Sequence, residues 1–268
     1  MNPFRRLGSL IGSLATAGII CVLTSPAALA SSFTLSPVRV FLSHTAHSQT
    51  LTLRNESDQP ISFQVSASEW HQNPDGSMAL TPTDDVVFFP VLLKLKPGEA
   101  RNLRVGLTVP PAPVEKTYRL FVEELAEPRK AAADGAPSVR FLTKMGVPIF
   151  LEPPAPESVG QISNISVAGG KLSFEVANRG NRHFVLQKVT VRGDGVVPFR
   201  REVNGWYVLA GENRSYNFDI PKSECLRTHE LTIEAQTDDS SFSGSSVVDA
   251  AACSAATSAR QQISARPW

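Results

Sequence analysis

Apolar and polar side chains alternate with a period of two along much of this chain. Residues 138–150, SVRFLTKMGVPIF, carry the pattern furthest. Val139, Phe141, Met145, Val147 and Ile149 fall on one side, interrupted by Thr143, while Arg140, Leu142, Lys144, Gly146 and Pro148 fall on the other. Such alternation predicts a half-buried strand, because successive side chains of an extended chain point to opposite faces. FTLSPVRVFL, SQTLTLRN, ISFQVSASEW, ARNLRVGLTV and TYRLFVEEL are likewise rich in β-branched and aromatic residues. Between them NESDQP, NPDGS and KPGEA supply turn-forming Asn, Asp, Pro and Gly. With no helical period in this half, the pattern predicts an antiparallel sandwich with Greek-key connections.

A proline-rich stretch, PPAPE at 153–157, then interrupts the strands. Beyond it NISVA and KLSFEV flank Gly169-Gly170, a two-residue hairpin signal. FVLQKVTVRG, GWYVLAG, SYNFDI and LTIEAQ follow at similar spacing. The prediction is an all-β chain of two immunoglobulin-like β-sandwiches, residues 31–154 and 155–268, joined by a short proline-rich hinge and ending in a patternless tail from about Ala256.

Composition changes the picture in three places. Residues 1–30 combine Arg5 and Arg6, an apolar run and Ala28-Leu29-Ala30, the three parts of a secretory signal, so the mature chain is expected to start at Ser31. Gly8, Gly12 and Gly18 dilute the run against its being a retained membrane anchor. The whole chain has a formal net charge of +1, and losing two arginines with no acid leaves it near neutral. Neither nucleic acid nor an anionic membrane is indicated as a partner. Cleavage also removes Cys21, leaving Cys225 and Cys253, which an oxidising compartment would join.

Catalytic chemistry is absent from the pattern. The chain has no G-x-S-x-G elbow, H-E-x-x-H, phosphate-binding loop or dinucleotide-binding glycines. His44 and His47 lack further metal ligands nearby, and Asp84-Asp85 reads as a solvated loop pair. No enzyme activity, metal or cofactor is expected.

Before the strand at 138–150 comes PRKAAADGAPS, too polar and small to pack, so part of the apolar row has no core of its own to enter. Together with LSPVRVFL, LTLRNESDQPISFQVSASEW, FFPVLLKLKPGEARNLRV and TYRLFVEEL, followed by the strand ending PIFLEPP, the order of segments resembles the PapD-like periplasmic pilus-assembly chaperones. Arg119 and Glu124 give it the look of the archaic branch. The resemblance implies a periplasmic chaperone that stabilises pilin-like subunits by donor-strand complementation and delivers them to an outer-membrane usher. It implies that Val139, Phe141 and Met145 enter the subunit with Thr143 as a gap, while Val147 and Ile149 stay in the chaperone core. It also implies a cleft that holds the subunit's terminal carboxylate. Arg39 matches the family's arginine, but Pro148 stands at its lysine position, leaving Lys144 or Arg119 as the second anchor. Two readings stay open beside it: the whole strand as ordinary core, and Arg39 as a structural ion pair with Glu152. The alternative to a chaperone is a periplasmic or surface Ig-like structural or adhesive protein. A self-capping dimer of the free protein is a further expectation.

Overall fold

The computed structural model describes residues 32–126, 141–195 and 199–254. The signal segment, Val139 and the tail lie outside them. Among the described residues no helix is long and apolar enough to cross a membrane.

Ten strands build the first sandwich. They are β1 (Phe33–Ser36), β2 (Val40–Leu42), β3 (Ser48–Asn55), β4 (Ile61–Gln72), β5 (Met78–Pro82), β6 (Val86–Phe89), β7 (Leu92–Leu95), β8 (Ala100–Leu107), β9 (Lys116–Glu124) and β10 (Lys144–Leu151). One sheet runs β1-β3-β8-β6; the other runs β2-β10-β9-β4-β5, with β7 also on β4. Between them lie the inward residues of the alternating rows, among them Leu35, Val40, Leu42, Leu51, Leu53, Phe63, Leu103, Val105, Leu120, Val122, Val147 and Ile149. Burial of each large aliphatic is worth about 1.5–3 kcal/mol, and this row is what specifies the register.

FTLSPVRVFL is two strands, not one. β1 pairs antiparallel with β3, whereas β2 pairs parallel with β10 in the opposite sheet. The chain crosses at Pro37-Val38-Arg39, where the Ser36–Pro37 peptide is cis and Val38 is exposed. The apolar face that Val38 and Val40 would share in one continuous strand therefore does not form.

The second sandwich contains β11 (Gly160–Ala168), β12 (Lys171–Asn178), β13 (Phe184–Gly193), β14 (Phe199–Asn204), β15 (Tyr207–Val208), β16 (Asn213–Asp219), β17 (Glu230–Thr237) and β18 (Ser241–Val247), with a short helix α1 at Lys222–Cys225. Its sheets run β11-β12-β16 and β14-β13-β17-β18, with β15 also on β13. Gly169 and Gly170 both have positive φ, 60° and 76°, as the predicted two-residue hairpin between β11 and β12 requires. Phe174, Val176, Phe184, Val189, Val191, Leu231 and Ile233 fill the second core. Cys225 and Cys253 are bonded, with Cα atoms 5.6 Å apart, tying α1 to the turn after β18.

Contacts of several kinds fasten the two sandwiches together. Trp70, Phe150, Tyr207 and Leu209 form a buried cluster of their own between the two cores. Asn181 Nδ2 donates to the carbonyls of Pro113 and Ala155, both at 2.9 Å, and Ser215 N donates to the Pro74 carbonyl at 2.7 Å. Glu115 Oε2 accepts the His183 backbone N–H at 2.9 Å and lies 2.7 Å from His183 Nδ1, with both side chains buried.

Candidate functional site

β10 is paired on one side throughout and on the other only at its end. Against β9 it runs in register from Lys144↔Glu123 to Leu151↔Lys116. Against β2 it pairs only through Ile149, Phe150 and Leu151. The backbone directions follow from two bonds: Glu124 N donates to Thr143 O at 2.9 Å, and Glu152 N donates to Leu42 O at 2.9 Å. In an antiparallel ladder residues alternate between bonding and facing away. The odd residues of β10 therefore bond β9, and the even ones turn their N–H and C=O outward. Phe150 and Glu152 meet β2, while Lys144 and Gly146 meet no second strand among the described residues. An unpaired edge of this kind is a template for another chain.

The side chains divide at the same place. Val147 and Ile149 are buried in the first core, 1% and 0% exposed, as the sequence pattern predicts. Met145 is half-buried and packs against that core, so its side chain already has neighbours in the free protein. Thr143 is exposed, and Phe141 and Leu142 just before it are 64% and 47% exposed. The regular strand starts at Lys144, later than the sequence pattern suggests.

Arg39, Pro148 and Arg119 share one row of the sheet. Pro148 pairs with Arg119 of β9, and continuing the β2 register by one residue places Arg39 on the other side of Pro148. Two strand spacings separate the arginines, about 10 Å between their Cα atoms. Arg39 is exposed at the bend before β2 and, among the described residues, has no ion pair, with Glu152 or otherwise. Arg119 is 6% exposed, and its guanidinium carbon lies 3.9 Å from the centre of the Trp70 ring. Its Nη1 donates to the Gly146 carbonyl at a long 3.4 Å, while buried Nε and Nη2 have no acceptor among the described residues. Burial lowers its pKa, but the guanidinium stays charged at any ordinary pH. Buried donors without acceptors cost about 1–3 kcal/mol each, so this corner favours an incoming anion. Lys144 is elsewhere: it pairs with Glu123 at 2.9 Å and lies four residues from Pro148, about 13 Å along the strand.

Residues 32–157 match the family model of pili and flagellar-assembly chaperones, PapD N-terminal domain, over the whole first sandwich. The first sandwich belongs to the PapD-like family of pilus chaperones. That family assists assembly and is not enzymatic. A chain of the CsuC–CsuE chaperone–tip adhesion subunit complex of archaic Csu pili from Acinetobacter baumannii superposes on this PapD-like chain with a TM-score of 0.57 at 15% identity, over 80% of this chain and 97% of that one. The class 5 fimbriae chaperone CfaA gives 0.55 at 10% identity, over 81% and 99%. The E. coli chaperone DraB gives 0.51 at 17% identity, over 82% and 98%. At these identities the likeness is one of fold. No curated protein matches the chain by sequence.

Other polar features of this PapD-like chain serve its structure. The Tyr118 hydroxyl donates to Asp85 Oδ2 at 2.7 Å, which gives Asp85 a place in the sandwich and raises the Tyr118 pKa through burial and that bond. Arg104 donates to Ser48 Oγ at 2.8 Å between neighbouring strands. Among the described residues no group of three His, Cys, Asp or Glu could hold a metal ion. Sequence reasoning missed the aromatic cluster at Trp70, Phe150 and Tyr207; the signal was an aromatic on the even face of PIFLEPP, where a solvated face should be polar.

Proposed function

We propose that this chain is a periplasmic chaperone that captures secreted pilin-like subunits by donor-strand complementation and passes them to an outer-membrane usher. The observation that carries the reading is the half-paired edge of β10: Lys144 and Gly146 offer backbone bonds to an added strand, and exposed Phe141 and Thr143 extend the row that enters the partner. Main-chain bonding then supplies affinity and alternate side chains supply selectivity. Val139 continues that row outside the described residues, and Met145, half-buried, is shared between the chaperone core and the partner.

Arg119 takes the place of the lysine lost at Pro148. A terminal carboxylate approaching over Pro148 meets exposed Arg39 from the solvent side, and the positive charge of Arg119, buried beneath, attracts it from within. Charge-assisted, bidentate contacts of this kind are stronger than neutral hydrogen bonds. In the absence of a subunit a second copy covering the same edge would form the self-capping dimer.

The test is co-expression with a small secreted β protein encoded beside this chain, followed by affinity capture. The wild type should retain the subunit, and Phe141→Asp should be secreted and folded yet retain none. Arg39→Ala should lower the yield without lowering Tm, and Arg119→Gln should lower the yield at least as far. Undiminished capture by both arginine variants would leave the strand edge as the whole of the site. Undiminished capture by Phe141→Asp would remove the donor reading.

A further inference from the structure

Two histidine–glutamate pairs among the described residues cross from one sandwich to the other, in opposite senses. His183 of the second sandwich meets Glu115 of the first, with Nδ1 2.7 Å from Oε2 and both side chains buried. His71, near the end of β4 in the first, meets Glu212 of the second, with Nδ1 3.4 Å from Oε1. The pairs differ in what they ask of the imidazole. A ring with one carboxylate beside it needs one N–H, which its neutral form has. The His71 ring stands between two carboxylates, because its Nε2 is 3.5 Å from Glu69 Oε1. Neutral imidazole has one N–H and one lone pair, so it serves one glutamate and turns its lone pair on the other. Only the imidazolium donates to both.

The backbone is held on both sides of the contact. His71 pairs with Ala79 of β5, while Glu212 N donates to the Leu209 carbonyl at 3.1 Å and the Glu212 carbonyl accepts Asn178 N at 2.9 Å. The Glu212 carboxylate makes a second bond across the junction, since Oε2 accepts the Gln72 backbone N–H at 2.8 Å. Burial raises the Glu212 pKa, against smaller opposing effects from that N–H and from His71, so a cation beside the carboxylate offsets part of the cost of its charge. Glu69, His71 and Glu212 line a cavity of about 280 Å³ between the domains, together with Glu115 and Lys116. Lys116 is paired with Asp85 at 3.8 Å, and β5, MALTP, brings no charge. The His71 side chain is 56% exposed there, open to protons from solvent.

We infer that His71 is a proton-operated clasp between the two sandwiches, closed on Glu212 while the ring is charged and released when it is neutral. Imidazole is the side chain whose ordinary charge change falls between about pH 5 and 8. What the charged ring contributes is therefore present on the acid side of that range and lost as pH rises through it. The His183–Glu115 contact does not share this dependence, because a neutral ring still donates from Nδ1 to the one carboxylate it faces. The aromatic cluster carries no charge at all. The domains thus stay joined on the alkaline side, while the turn that carries Glu212 loosens from the end of β4. The clasp sets the play in the junction; it does not decide whether the junction exists.

The reporter is the Gln72 amide, whose acceptor is Glu212 Oε2. Its hydrogen exchange is followed by NMR on the full-length mature protein and divided by the intrinsic rate at each pH, which gives a protection factor for local opening. In the wild type this factor should fall about fivefold between about pH 6 and about pH 8.5, the upper end for an ion pair open to solvent. His71→Gln should show the low value throughout. His71→Arg, whose charge does not titrate in this range, should show the high value throughout. Glu69→Gln should shrink the fall to about twofold or less, because Nε2 then accepts from the amide and the neutral ring donates Nδ1–H to Glu212. The His71 side chain lies outside both cores, so its variants fold. Level protection in the wild type, a fall in His71→Gln or His71→Arg equal to that of the wild type, or an undiminished fall in Glu69→Gln would overturn the clasp.

Discussion

Truncating Phe141 to alanine should separate two roles that the segment from 141 to 151 combines. In the free protein 64% of the side chain faces solvent, so its removal should change folding stability by no more than about 0.5 kcal/mol, as at other surface positions. Enclosing that solvent-facing part in a partner recovers roughly two-thirds of the burial energy of a whole aromatic side chain, about 1–2 kcal/mol. The subunit Kd should therefore rise roughly five- to thirtyfold. Val147→Ala is the mirror image. That side chain is 1% exposed in the first core, so its loss should cost about 1–3 kcal/mol of stability and leave the intrinsic affinity for subunit unchanged. Stability is read from chemical denaturation of the free chaperone. Affinity is read by letting wild type and variant compete for a limiting amount of the secreted subunit and quantifying the captured complexes. If Phe141→Ala lowers the unfolding free energy by more than about 1 kcal/mol, or competes within twofold of wild type, the division of labour along the strand is wrong.

Three further outcomes follow from the geometry. Phe150 is fully buried against rings from both sandwiches, so Phe150→Ala should cost about 3–5 kcal/mol and split a single calorimetric transition into two; one undivided transition would show that the polar contacts alone couple the domains. Reducing Cys225–Cys253 frees a loop with sequence separation 28, worth about 3.5 kcal/mol of chain entropy, and should lower the Tm of the second domain; an unchanged Tm after thiol trapping confirms reduction would count against that magnitude. Burial raises the Glu212 pKa, against smaller opposing effects from the Gln72 N–H and His71. A raised carboxyl pKa contributes stability that is complete below the ordinary glutamate value and is lost as pH rises through the elevated one. Glu212→Gln should therefore flatten the Tm–pH curve just above the usual carboxylate range, and a curve parallel to wild type would contradict this.

The period-two rows made both cores readable, because a strand with one buried face must place its large side chains at alternate positions. Val147 and Ile149 sit where that row put them. Strands without such a row escaped notice. β18, SFSGSSV, has no run of large inward residues, and β14, FRREVN, is charged along most of its length. The break at Pro37 was legible as a proline within a strand, but its result, a change of sheet, depends on β3 and β10, which lie elsewhere in the chain. The candidate site was legible in part for a similar reason. Exposure at Phe141 could be argued from the small, polar loop before it. The surroundings of Arg119 could not, since they come from Trp70 and Tyr207, remote in sequence and brought together by the packing of one domain on the other. Pro148 disqualified its own position at once, whereas the choice between Lys144 and Arg119 needed the register.

Pro148 also marks a boundary on the β10 edge. It stands where the outward-facing backbone of β10 passes from open water to β2, and it has no N–H to offer on that side. A strand laid along Lys144 and Gly146 toward the domain junction runs out of donors at Pro148 and then meets the β2 backbone head-on. The edge thus has a mechanical end-stop. How far a guest strand can slide is limited by a wall at one end, so its alignment does not rest on side-chain fit alone. A one-residue slip, which would turn every guest side chain to the wrong face, is blocked in one direction by covalent geometry.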